Sequence, residues 1–206
     1  MKITCIVRLI DNPRKIIVVT GTPGVGKSTV SSKLSEILRA EHINLSEFVK
    51  SRDIPKSYDK ERETWIVDEE DVKKELLKHI EKVKAETIIV EGHFAVHTLP
   101  QEKICKVLVL RRDPRELKDI LEKRGYSRKK VKENVASEIL DVCLVEAIEK
   151  CGQEKICEID VTSKDVDKVV EEALLYIKEE AGCKVGVVDW LGRLEKDECL
   201  AEFLDF

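Results

Sequence analysis

Residues 16–29 read Ile-Ile-Val-Val-Thr-Gly-Thr-Pro-Gly-Val-Gly-Lys-Ser-Thr. A β-branched apolar run halts at a glycine-rich turn and gives way to a helical pattern. Gly21, Gly26, Lys27 and Ser28 fill the P-loop spacing G-x-x-x-x-G-K-[ST]. The glycines let the backbone curl so that several N–H groups point at one phosphate chain. The following helix turns its positive N-terminal end toward the same phosphates. Lys27 supplies a mobile cation, and the Ser28 hydroxyl is placed to ligate Mg²⁺. Val30, Leu34, Ile37 and Leu38 then place an apolar stripe on one helix face.

Outward from this loop, apolar runs at 16–20, 87–90, 104–110 and 155–159 alternate with helical patterns at 71–84, 114–123, 129–150 and 165–180. A weaker strand signal lies at 43–45, and 3–10 reads as an added edge strand or an ordered leader. Continuous apolar strands separated by helices predict a parallel sheet covered on both faces, a doubly wound three-layer α/β P-loop fold. Segment 51–65 is charged, contains Pro55 and lacks periodicity, so it reads as a loop or lid.

The chain has 206 residues, the size of one α/β domain with some decoration, so 1–206 is read as a single unit. Aromatics are only 4%, which makes the expected core aliphatic. The net charge of -4 restricts any nucleic-acid contact to a local patch. A Lys- and Glu-rich surface at 38% charged residues matches the composition of heat-stable proteins. No apolar stretch approaches the roughly 20 residues needed to span a bilayer. Arg8, Asp11 and Arg14 break any secretory-signal pattern at the N-terminus. A cytoplasmic protein with no membrane partner is expected. The seven cysteines (5, 105, 143, 151, 157, 183 and 199) are odd in number and form no C-x-x-C pair. They read as reduced thiols used as small hydrophobes, with zinc ligation or disulfides the lesser alternative.

The strand at 87–90 runs into Glu91-Gly92-His93. A carboxylate at the carboxyl end of a parallel strand is where a P-loop enzyme holds Mg²⁺, directly or through water, so Glu91 is the candidate metal acid. His93 is placed to orient water or touch a phosphate; the alternative is a solvated loop histidine. Arg111, at the end of the next strand, and Arg124, after the next helix, supply the cations that phosphoryl transfer between polyanions requires. Arg124 opens a basic cluster with Arg128, Lys129, Lys130 and Lys132, whose lysines read more simply as a solvated helix face.

Taken together, GTPGVGKST, WIVDEEDV (65–72), EGH and VLRRDPRELKDILEKRGYSRKKVKENVASEI (109–139) resemble the adenylate kinase isoenzyme 6 family over roughly 16–178. The resemblance implies a P-loop nucleotide kinase fold that transfers the γ-phosphoryl of MgATP to AMP. It implies ATP-phosphate binding by Gly24, Gly26, Lys27, Ser28 and Thr29. It implies a monophosphate-binding segment at 44–67 and a short lid at 123–133 whose Arg124 contacts ATP. Glu91 and His93 match the family's acidic-x-His motif, tied there to ATP hydrolysis. Family members also act in small-ribosomal-subunit maturation, binding a ribosomal protein of the subunit platform. The alternative is therefore a switch ATPase that serves as an assembly factor; a kinase for another small acceptor is a third reading. The sequence departs from the pattern in Glu91, where Asp is usual, and in Lys50, where a eukaryotic relative has Arg. Lysine lacks the bidentate fork, so AMP is the less secure substrate unless Arg52 compensates. The tail at 182–206 carries Val187, Val188, Trp190, Leu191, Leu194, Leu200, Phe203, Leu204 and Phe206 among acidic residues. It reads as a helix packed on the body, or as a docking segment for a partner or second subunit.

Overall fold

The computed structural model describes residues 14–54, 56–59 and 64–204. The expectation for 3–10 lies outside the described residues. In chain order, β1 (Lys15–Thr20) leads through the glycine-rich loop into α1 (Lys27–Leu38) and β2 (Glu41–Asn44). Next come α2 (Leu45–Ser51), the strands β3 (Lys56–Asp59) and β4 (Thr64–Val67), α3 (Glu69–Lys82) and β5 (Thr87–Glu91). β6 (Ile104–Arg111), α4 (Pro114–Lys123), α5 (Arg128–Ile139), α6 (Val142–Cys151), β7 (Ile156–Asp160) and α7 (Val166–Ile177) complete the main body. The tail forms α8 (Trp190–Lys196) and α9 (Leu200–Leu204).

The main sheet is parallel, in the order β2-β5-β1-β6-β7. Side chains alternate across each strand. In β1, Ile16 and Val18 enter one apolar layer, and Ile17 and Val19 the other. Both faces are covered, which is why these strands read as unbroken apolar runs. All strands end on the same edge, so the P-loop, Glu91 and Arg111 converge there, where ligands of open α/β sheets bind.

Four expectations are corrected. Segment 51–65 is not simply a loop: residues 56–59 and 64–67 pair as an antiparallel hairpin, with Lys56 opposite Val67. Its described β3 side chains are polar on both faces, so no apolar alternation marked it. The helix expected at 129–150 is two helices, broken where Asp141 adopts φ 57°. Asp tolerates that left-handed conformation, and Arg111 holds the break by donating to the Glu138 carbonyl (2.9 Å) and to the Asp141 carboxylate. In α1 the buried arc is Val30, Ser31 and Leu34; Ile37 lies at its edge and is exposed. Finally, Cys157 and Cys183 form a disulfide. The amide of Glu158 donates to Lys184 O at 2.9 Å, which lays the segment after α7 along β7 and brings the two Cα atoms to 4.6 Å.

The tail packs on the body. Trp190, Leu194 and Phe203 are buried, the last two within the layer built on α1, α4, α5 and α7. Among the described residues no helix is long and apolar enough to cross a membrane.

Candidate active site

The P-loop takes its shape from three glycines at positive φ: Gly21 (137°), Gly24 (100°) and Gly26 (109°). A Cβ on Gly21 would strike the backbone oxygen of Leu110, and one on Gly24 would meet Leu117 Cδ1 at 2.8 Å. The loop is thus pinned between β6 and α4 as well as being strained for any L side chain. Lys27 Nζ donates to the carbonyls of Gly21 (2.7 Å) and Thr22 (3.0 Å), which leaves the third ammonium N–H for the cleft. Burial is the main influence on this amine and pulls its pKa down to about 8 against the attraction of Cys143, Glu91 and Glu138.

Lys27 and Ser28 face a cleft of about 550 Å³, also lined by Thr22, Gly24, Asn44, Glu91, His93 and Arg124. Glu91 is buried at the end of β5. Desolvation pushes its pKa up, but His42, Ser28 and Asn44 outweigh that and hold the carboxylate below its usual range. Asn44 donates from Nδ2 to Glu91 Oε1 and caps α2 by accepting from Glu47 N at 3.0 Å. His42 Nε2 stands 3.5 Å from the same oxygen. The other oxygen, Oε2, is buried without a hydrogen-bond partner. A buried, ionised oxygen without a partner, beside a serine hydroxyl, fits a hard cation. Among the described residues no cluster of three His, Cys, Asp or Glu could hold a metal alone. Mg²⁺ at Ser28 and Glu91 would therefore take its other ligands from phosphate oxygens and water, the usual habit of that ion.

His93 stands at the cleft mouth, with its backbone oxygen fixed by the Thr20 hydroxyl (3.1 Å) and its ring against Phe94. Although its edge is exposed, the protein packed round the ring desolvates the cation, and Lys27 and Lys130 repel it. Its pKa falls to about 4, so the imidazole is neutral at pH 7. Arg124, exposed at the end of α4, lines both the main cleft and a hollow of about 230 Å³. That hollow also includes Gly26, Thr29, Arg112, Val161 and Lys164. On the other side, a cavity of about 490 Å³ shares His93, Tyr126 and Lys130 with the cleft and is lined by Ser46, Val49, Lys50, Ile66 and Phe94 from α2, β4 and the loop after β5. The three spaces adjoin along the carboxyl edge of the sheet, the cleft sharing Gly24 and Arg124 with the hollow and Ser46, His93, Tyr126 and Lys130 with the cavity, and this run of adjoining spaces makes a trough.

Arg111 does not join this trough. It is 1% exposed, turned into the core, and paired with Glu138, Asp141 and Glu158. Its neighbour Arg112 instead reaches the P-loop, donating to Val25 O at 3.3–3.4 Å and to Glu116 at 2.8 Å. Two adjacent arginines at a strand end point opposite ways, and nothing in their order says which turns inward. Arg52 does not line the second cavity: it lies over Phe48 and meets His79 Nδ1 at 2.9 Å. Of the basic cluster, Lys130 reaches the trough, while Arg128 and Lys132 line a separate cavity under α9. Glu138 was not anticipated as a functional position, and Asn44, expected only as the start of the monophosphate-binding segment, was not anticipated as the partner of Glu91. An Asn at a strand–helix junction resembles any N-cap, and a glutamate within a charged helix resembles any solvated one.

The sheet order and this edge define the chain as a protein of the P-loop kinase fold. Its fold is shared with shikimate kinase from Bacteroides thetaiotaomicron (TM-score 0.53, 17% identity, 80% of this chain and 98% of that one). Thymidylate kinase from Candida albicans is similar (TM-score 0.54, 15% identity, 82% and 92%). A family model described as an AAA domain matches residues 17–141. A protein of Methanococcus maripaludis named "Putative adenylate kinase" is 41% identical over 85% of this chain and 95% of its own. One of the same name from Methanocaldococcus jannaschii is 42% identical over 84% and 92%. The chain belongs to this family of archaeal adenylate kinase-like P-loop proteins.

Proposed function

We propose that the protein transfers the γ-phosphoryl of MgATP to AMP, giving two ADP. The observation that carries this reading is the run of three adjoining spaces: a phosphate cleft lined by Lys27, Ser28 and Glu91, a hollow that shares Arg124 with it on one side, and a second cavity at Lys50 that shares His93 with it on the other. A hydrolase needs one nucleotide space; a transferase to a second nucleotide needs two that meet at the γ-phosphate.

In this reading the loop amides and Lys27 bind the β- and γ-phosphates. Arg124 and Arg112, which line the same hollow, flank the ATP base and triphosphate. Lys50 and Lys130 attract the acceptor phosphate. Ser28 and Glu91 would hold Mg²⁺, which when bound neutralises phosphate oxygens and draws them into one orientation. The acceptor phosphate is already an anionic nucleophile, so the residues need only bring it in line, offset charge and exclude water. Closure of the lid at 123–133 over the trough brings Arg124 to the transferring group.

One observation favours a second activity. His93 keeps a neutral imidazole at the cleft mouth, able to accept a hydrogen bond from water beside the γ-phosphate. This supports a slow ATPase and the switch reading, in which a small-subunit ribosomal protein or the immature small subunit is the partner. A coupled assay of ADP formation with and without AMP, with CMP, UMP and GMP as controls, separates the two. AMP-dependent turnover lost in Lys27→Ala supports the kinase; AMP-independent phosphate release alone overturns it.

A further inference from the structure

The carboxylate of Glu138 is 1% exposed and lies in α5, whose Glu133, Asn134 and Ser137 line the cleft while Glu138 itself does not. Its Oε2 accepts from the Thr22 hydroxyl at 2.5 Å. Its Oε1 accepts from Arg111 Nε (2.9 Å), the Arg112 amide (3.1 Å) and the Trp190 indole N–H (3.1 Å). One carboxylate thus joins the second residue of the P-loop, the end of β6 and the C-terminal tail. The tail is held a second time. Glu158, also fully buried, accepts from Arg111 Nη1 at 2.7 Å with one oxygen, and from the amides of Gly186 (2.6 Å) and Val187 (2.8 Å) with the other.

We infer that Glu138 is a positioning residue for the phosphate loop, and that the C-terminal segment, through Trp190, completes the site by holding Glu138 in place. Thr22 has its hydroxyl committed to Glu138, while its carbonyl accepts from Lys27. A displacement of the Glu138 carboxylate therefore moves both the loop and the cation that it aims. Hydrogen bonds to a buried charge are strong and directional, and removing one donor leaves the anion short of partners. The tail, which lines none of the three spaces of the trough, then acts on nucleotide affinity without touching nucleotide. This inference rests on the reading of the cleft as a triphosphate site.

Two measurements keep the inference separable from that reading. Amide hydrogen exchange without nucleotide, in wild type, Thr22→Val and Trp190→Phe, reads the coupling itself. Faster exchange confined to 21–27, with β5 and α7 unchanged, is expected in both variants. Loop exchange equal to wild type in both overturns the inference, whether or not the protein binds nucleotide. A non-hydrolysable ATP analogue reads the consequence. About tenfold weaker binding is expected for Thr22→Val, from the loss of one charged hydrogen bond, and about threefold for Trp190→Phe. Thr22→Ser, which keeps the hydroxyl, recovers most of the affinity. Both variants weaken KM more than kcat, because they loosen the loop without removing a group that meets the transition state. Wild type that fails to bind the analogue sinks the proposed function, while the exchange comparison still decides the role of Glu138. Glu138→Gln is the harsher variant, and the two milder ones decide the matter should it misfold.

Discussion

Arg111 Nη1 donates to Glu158 Oε1 across 2.7 Å, and neither side chain is more than 2% exposed. The guanidinium also serves Glu138 and Asp141. It is a structural cation holding the ends of β6, β7 and α5 together. Breaking one partner of a buried pair strands the remaining charge. Arg111→Leu is therefore expected to lower unfolding stability by about 3–5 kcal/mol in urea titrations. Nucleotide affinity in whatever fraction stays folded should fall far less than in Lys27 variants. A stable, inactive Arg111→Leu protein would return this residue to the chemistry.

Lys27 is held at a cost to stability. Its pKa is lowered in the fold to about 8, so between pH 8 and 10.5 the unfolded chain binds the extra proton and stability from this group rises with pH. Below pH 8 both states carry the charge and the desolvation cost is fully present. Lys27→Met should abolish turnover, yet unfold no more easily than wild type at pH 7, with a gain of at most about 3 kcal/mol. In the wild type, affinity for the ATP analogue should be flat below about pH 7, be roughly halved near pH 8 and fall towards tenfold per unit well above it, as the cation is lost.

His93 titrates at about 4. The folded pKa is depressed, so its contribution to stability is present above the ordinary histidine value near 6.5 and fades as pH falls towards 4. Between pH 6 and 9 the rate profile should show no limb from this ring. His93→Ala is expected to cut AMP-independent phosphate release by tenfold or more, within the usual range for a group that directs a proton or water, while AMP-dependent ADP formation drops less. Equal losses in the two reactions would remove the water-positioning role.

Glu91 Oε2 is buried and, among the described residues, has no hydrogen-bond partner. Glu91→Gln keeps the size and the Asn44 contact region but removes the charge. Turnover should fall roughly 10²–10³-fold, the scale of one lost electrostatic stabiliser, and the Mg²⁺ concentration for half-maximal rate should rise. Asn44→Ala should do the same more weakly, because it orients the carboxylate and caps α2. An unchanged Mg²⁺ requirement in Glu91→Gln would place the metal elsewhere.

The parallel sheet was legible because its strands are buried on both faces, and Ile16 to Val19 carry no polar interruption. The placement of the P-loop and of Glu91 at one cleft was legible because both sit at the carboxyl ends of parallel strands. Ser51 to Val67 was not, since a hairpin with polar β3 faces shows no alternation. The break at Asp141 was hidden too: it depends on an arginine thirty positions away in sequence taking a helix carbonyl. The same long-range pairing turned Arg111 inward. Residue types forecast what a group can do, but the partner it finds across the sheet decides which of those things it does.

The sheet order also sets a sequence of events. β1 carries the phosphate loop from the middle of the sheet, and Val18 pairs with Val90 on one side and Val107 on the other, about seventy and about ninety residues further along. Neither flank exists when β1 first leaves a ribosome. The phosphate loop, encoded early, is then unpaired on both sides until β5 arrives, on one side until β6 follows, and lacks its buried carboxylate until α5 delivers Glu138. A loop assembled from partners this far apart in the chain cannot be complete, and cannot be helped into shape by a bound phosphate, until α5 has been made.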